Sequence, residues 1–89
     1  APTTLAVSVF GANPSHGSVS LRCALPELAP ATLELIDLNG RRVSSRTLAS
    51  GGTVQFVRMD ETRSIAPGMY FARLSQGAHS RVARVVLVH

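Results

Sequence analysis

The sequence predicts an antiparallel β-sandwich of about seven strands, and three observations predict it. Apolar and polar residues alternate at period two, turn-forming residues recur about every 8 to 12 positions, and no run of roughly ten residues carries a 3.6-residue period. A strand shows one side to a core and the other to water, so alternation is its signature.

The first run covers 5–10. The second, 18–25, is the clearest: Val19, Leu21, Cys23 and Leu25 fall on one side, Ser18, Ser20 and Arg22 on the other, and Pro26 stops it. Runs 33–38 and 42–48 flank Asn39-Gly40, a pair suited to a two-residue type I′ turn, and are expected to form a hairpin. Run 53–59 follows. Residues 60–66 are the least regular and are expected to be an ordinary loop. Pro67-Gly68 suits a type II turn, Gly68 taking the positive φ. In 69–75, Tyr70, Ala72 and Leu74 share one side while Met69, Phe71 and Arg73 share the other, as in a central strand with apolar area on both faces. The last run, 81–88, sets Ala83, Val85 and Leu87 against Val82, Arg84, Val86 and Val88. Its second side is too apolar to be wholly wet, and part of it is expected to meet a neighbouring domain or a partner.

The chain has 89 residues, enough for one core but not for an enclosed site between two domains. Nine Arg and no Lys face five acids, a net charge of +4. The arginines are scattered, and only Arg41 and Arg42 adjoin. The aromatics Phe10, Phe56, Tyr70 and Phe71 all fall in strand-like runs. No basic helix and no interleaving of basic with exposed aromatic residues is visible, so no nucleic-acid partner is expected. Arg on strand faces instead keeps a sheet soluble and its edges unpaired. The single Cys23 lies on the apolar side of its strand and reads as a small buried hydrophobe. The longest apolar run, 85–88, is far short of the ~20 residues of a membrane helix. The chain opens Ala1-Pro2-Thr3-Thr4 and is expected to be part of something longer.

Chemistry-bearing patterns are missing. No G-x-S-x-G elbow occurs, and a thiolate at Cys23 would be costly where it stands. His16, His79 and His89 lack metal-ligand spacing and read as loop or terminal residues. Asp37-Leu38-Asn39-Gly40 lacks the rest of a calcium loop and reads as a turn, as does the acidic pair Asp60-Glu61. Asn13-Pro14-Ser15 is barred from glycosylation by its proline. No catalytic residue, metal or cofactor is expected.

The order of these signals resembles a known family nearly end to end. Ala12-Asn13-Pro14 with Gly17 behind it is similar to a Pro-Asn-Pro opening, and 19–26 to an alternating strand ending in Leu-Pro. Residues 33–43 resemble a strand, an Asp-x-x-Gly turn and a basic-Val restart. Residues 65–74 resemble the most specific segment, a Gly-x-Tyr strand, and 84–88 a basic-then-aliphatic final strand. These are the marks of the immunoglobulin-like C-terminal sorting domains of the type IX secretion pathway and of the related domain of the flagellar hook-capping protein. Three departures stand out: Met59-Asp60-Glu61 where hook-cap relatives have Trp-Asp-Gly, Ala12 for the opening Pro, and His89 at the end.

The resemblance implies immunoglobulin-like topology and a non-catalytic sorting module of a larger exported bacterial protein, secreted or at the cell surface, monomeric in isolation. The secretion apparatus or the parent's neighbouring domain is its implied partner, through an exposed strand edge and the two-sided last strand, with strand addition as one mode. Arg81, Arg84, Val85, Val86, Leu87 and Val88 are the candidate recognition residues. Asn13, Pro14, Asn39, Gly40, Pro67, Gly68 and Tyr70 are expected to determine shape. The alternative is an accessory module that spaces, stabilises or attaches a catalytic domain, with weak carbohydrate binding.

Overall fold

The computed structural model describes residues 4–11, 15, 16, 18–49 and 52–88. Asn13, Pro14 and His89 lie outside them. Among the described residues eight strands run in chain order: β1 (Ala6–Val9), β2 (Ser15–His16), β3 (Val19–Leu25), β4 (Ala31–Asp37), β5 (Arg42–Leu48), β6 (Thr53–Met59), β7 (Gly68–Gln76) and β8 (His79–Val88). Seven are the alternating runs. They form two sheets, ordered β1-β3-β6 and β2-β8-β7-β4-β5. The chain is an all-β sandwich, and its strand order is immunoglobulin-like.

The extra strand, β2, pairs parallel with β8, Ser15 opposite Leu87 and His16 opposite Val88. His16, expected in a loop, therefore stands in a strand. The segment between β1 and β2 carries the chain from one sheet to the other. Two residues are too few for alternation to show.

The core is the layer where the inward residues meet. β3 supplies Leu21, Cys23 and Leu25, β4 Leu33 and Leu35, β6 Val57 and Met59, β7 Tyr70, Ala72 and Leu74, and β8 Val85 and Leu87, all buried. Each larger aliphatic side chain removed from water contributes about 1.5–3 kcal/mol. β7 lies between β4 and β8 as a central strand, as its two apolar sides predict.

Three local expectations change. The β4–β5 hairpin does not close on a two-residue type I′ turn. The Gly40 N–H donates to the Asp37 carbonyl (3.1 Å) and the Asp37 N–H to the Arg41 carbonyl (2.9 Å), so the loop is three residues long and ends on Gly40 at φ 83°. Asp37 is the cause: its Oδ1 accepts the N–H of Asn39 and of Arg41, each at 2.9 Å, and the strand register shifts between Leu35 and Ile36. Gly68 has positive φ, but at 147° it already pairs with Leu87 as the first residue of β7 rather than sitting in a type II turn. Residues Asp60–Ser64 are a 3₁₀ helix rather than an irregular loop. Its anchor is the buried Thr62, whose Oγ1 donates to the Met59 carbonyl at 2.9 Å.

Both ends of β7 are held by side chains. The Tyr70 hydroxyl donates to the Ala66 carbonyl at 2.6 Å, a back-bond of the kind that marks the corner of immunoglobulin-like sandwiches. At the other end Gln76, 1% exposed, donates through Nε2 to the carbonyls of Glu27 (3.0 Å) and Ala29 (2.7 Å), while its Oε1 accepts the Glu27 N–H (3.1 Å). One amide thus satisfies three backbone groups of the loop between β3 and β4. Gln76→Leu keeps the bulk and removes all three bonds, so it is expected to lower unfolding stability by about 2–3 kcal/mol in urea titration. A midpoint equal to wild type would show that the loop satisfies itself.

Candidate recognition surface

The strand period sorts the six candidate recognition residues. Val85 and Leu87 are 0% and 1% exposed and belong to the core, so neither meets a partner while the domain is folded. Arg84, Val86 and Val88 fall on the opposite, outer side of β8 together with Val82, which is 57% exposed. Arg81 stands apart from both groups. It lies at the end of the sandwich, donates from Nη1 to the Ser80 carbonyl (2.9 Å), and lines an open cavity of about 280 Å³ with Thr4, Leu5, Pro26, Glu27 and His79.

Antiparallel pairing carries the outer side of β8 onto its neighbours. Val86 faces Met69, Arg84 faces Phe71 and Val82 faces Arg73 across β7; Phe71 and Arg73 in turn face Ile36 and Glu34 of β4. The result is an apolar stripe of Ile36, Met69, Phe71, Val82, Val86 and Val88 on the outside of the five-stranded sheet. Met69 is 37% exposed, and Ile36, Phe71, Val86 and Val88 are half-buried. Arg84 and Arg73 lie within this surface and Arg42 at its β5 side.

Glu34 fixes the arginines. Its Oε1 accepts from Arg73 Nε (3.1 Å) and Nη2 (2.7 Å), and its Oε2 accepts from Arg42 Nη1 (3.3 Å). The carboxylate is mostly shielded whereas both guanidinium groups are well exposed. The Arg73 hydrogen bonds, outweighing the cost of burial and aided by Arg42, hold the Glu34 carboxyl below the usual value for a glutamate. Two guanidinium groups on one carboxylate leave this cluster with a net positive charge.

Two sheet edges, those of β5 and β6, are guarded. β5 is one edge of the five-stranded sheet and β6 one edge of the three-stranded one. Between them Arg46 Nη1 donates to the Arg58 carbonyl (2.7 Å) and Gln55 Nε2 to the Ala49 carbonyl (3.1 Å), occupying acceptors another strand would use. The terminal strand is not a wholly open edge either, since β2 pairs with Leu87 and Val88.

Burial pushes the Cys23 thiol up to about 11, so it stays protonated at neutral pH. Asp37 holds its turn, and Asp60 accepts from Arg58 Nε at 2.8 Å. No cluster of three His, Cys, Asp or Glu suited to a metal occurs among the described residues. No helix there is long and apolar enough to cross a membrane.

Of the residues expected to determine shape, Asn39, Gly40, Pro67, Gly68 and Tyr70 bracket the β4–β5 loop and the entry to β7. Sequence reasoning missed Glu34 and Gln76. Glu34 occupies the polar phase of an alternating strand, where exposure is the default, and its Arg73 partner lies 39 positions away.

The family model for the secretion system C-terminal sorting domain matches residues 12–88, from the segment ahead of β2 through all of β8. The chain belongs to that family. It is a type IX secretion sorting domain, and as such marks a secreted or cell-surface protein and interacts with the secretion machinery. Searches of curated proteins and of solved structures found no match.

Because the Glu34 carboxyl is lowered in the folded sorting domain, its contribution to stability is complete above the unfolded value near 4.5 and is lost as pH falls through the folded one. Glu34→Gln is therefore expected to be less stable than wild type at about pH 6, the gap narrowing toward about pH 3. Parallel urea titrations check this; a gap that stays constant would show that the ion pairs contribute nothing pH-dependent.

Proposed function

We propose that the secretion apparatus reads this sorting domain through the outer face of β8, β7 and β4, and that the domain itself catalyses nothing, acting as the C-terminal, monomeric module of a larger exported protein. One observation carries this reading: an apolar stripe lies on a solvent-facing sheet surface, where a self-sufficient sandwich would place polar residues. Exposed apolar area of this kind marks an interaction site. Its arginine rim favours an acidic surface on the partner, and its centre, Met69 and Phe71 between Ile36 and Val86, supplies the desolvated contact that makes an interface selective.

The arrangement also determines which experiment is informative. Removal of 81–89 would take Val85 and Leu87 out of the core, so loss of export would report unfolding. Substitutions confined to the outer face separate the two effects. A reporter carrying the chain at its C-terminus is expected to be exported, and the combination Met69→Ser, Val82→Ser and Val86→Ser to retain it inside the cell by tenfold or more, about 1.4 kcal/mol in recognition. Thermal melting of the purified variant establishes that it is folded. Export at the wild-type level from a folded triple variant would exclude this face.

A further inference from the structure

The other sheet carries a different surface. On the outside of β1-β3-β6 the pairing sets out three rows: Ala6, Ala24 and Val54; Ser8, Arg22 and Phe56; and Phe10, Ser20 and Arg58, the last aligned by the Phe10 N–H bond to the Ser20 carbonyl (2.8 Å). Phe10 and Phe56 are 57% and 60% exposed, and their rings meet edge to face, centroids 4.9 Å apart at 65°. Ser8 and Ser20 flank Phe10, while Arg22 faces Phe56, and Val54 and Arg58 lie on either side of Phe56 along β6. Arg22 has no acidic partner among the described residues, and Arg58 keeps an exposed guanidinium although Asp60 holds its Nε.

We propose that this face is a binding platform for an acidic polysaccharide, distinct from the surface read by the secretion apparatus. The C–H face of a pyranose ring packs on a phenyl face, Arg22 and Arg58 attract carboxylate or sulfate groups, and Ser8 and Ser20 offer hydroxyl hydrogen bonds. Two phenyl rings between arginines and serines are too little apolar area for a stable protein interface, which needs about 800 Å² per partner. Single-stranded nucleic acid shares the need for cations and rings, but successive stacked bases require rings that can lie parallel, and these two are 65° apart. The setting agrees with the ligand, since a secreted or cell-surface protein meets surface polysaccharide.

The test titrates the 89-residue chain into a fluorescently labelled alginate oligosaccharide and follows anisotropy, with neutral dextran and oligothymidylate as competitors. Binding is expected, weakened about tenfold by Phe56→Ala and abolished by Phe10→Ala with Phe56→Ala, as the size of ring stacking implies. Phe56→Tyr keeps the ring and retains affinity. Arg22→Gln weakens binding and flattens its salt dependence. Met69→Ser, on the opposite sheet, leaves it unchanged. Urea midpoints equal to wild type show that the phenylalanine variants fold. The proposal is overturned if alginate does not bind, if folded variants lacking both rings bind as wild type, if dextran competes as well as unlabelled alginate, or if oligothymidylate binds more tightly.

Discussion

The register of β7 is the constraint on which the rest of this sandwich depends. The strand is central, hydrogen-bonded to β4 on one side and β8 on the other, and apolar on both faces. A slip of one residue would turn Tyr70, Ala72, Leu74 and Gln76 outward and push Met69, Phe71 and Arg73 into the core. Hydrophobicity alone distinguishes the two registers poorly, because Met and Phe would fill a core as readily as Tyr and Ala. Polar bonds decide it: Tyr70 to Ala66 at the start, Arg73 to Glu34 in the middle, Gln76 to Glu27 and Ala29 at the end. Those of Arg73 and Gln76 reach other elements and so fit one register only. These side chains therefore determine which residues the outer face presents.

Much of this architecture is legible in the sequence because period-two alternation is a local signal. The seven longer strands, the buried Cys23 and the two-sided character of β7 and β8 all follow from residues within a few positions of one another. The misses share the opposite property. The partners of Gln76 lie 47 and 49 positions away, and β2 is a strand only because β8 comes to meet it. In β6 the apolar residues Val54, Phe56, Val57 and Met59 fit either phase, and the structure chooses Val57 and Met59 for the core. Phe56 is consequently left outside. The outer ring pair thus escaped a reading that placed the aromatics in strand-like runs and saw no exposed ring beside a basic residue. The apolar stripe was half legible: alternation separates Val86 and Val88 from Val85 and Leu87, but their alignment with Met69, Phe71 and Ile36 depends on strand order.

The arginines acquire distinct tasks once placed. Arg46 closes an edge by taking a carbonyl of β6, Arg42 and Arg73 are organised by one carboxylate, and Arg84 lies within the apolar stripe. Arg22 and Arg58 stand beside the exposed rings on the opposite sheet. A guanidinium suits all of these positions because its planar fork donates in several fixed directions and its stem covers apolar neighbours. These six of the nine arginines are thus divided between the two sheet exteriors and the seam that joins them. Glu34, well shielded, orders Arg42 and Arg73 on the side with the larger apolar area.

The short parallel pairing of β2 with β8 has a mechanical meaning. A pull directed backward from Ser15 and forward from Val88 would load these two strands lengthwise in opposite senses, straining their hydrogen bonds together instead of opening them one after another. Antiparallel hairpins such as β7–β8 unzip when their ends are separated, whereas this junction is sheared. The domain thus meets tension along its length with a clamp, and β8, which bears both core and outer-face residues, is the strand that the clamp holds in place.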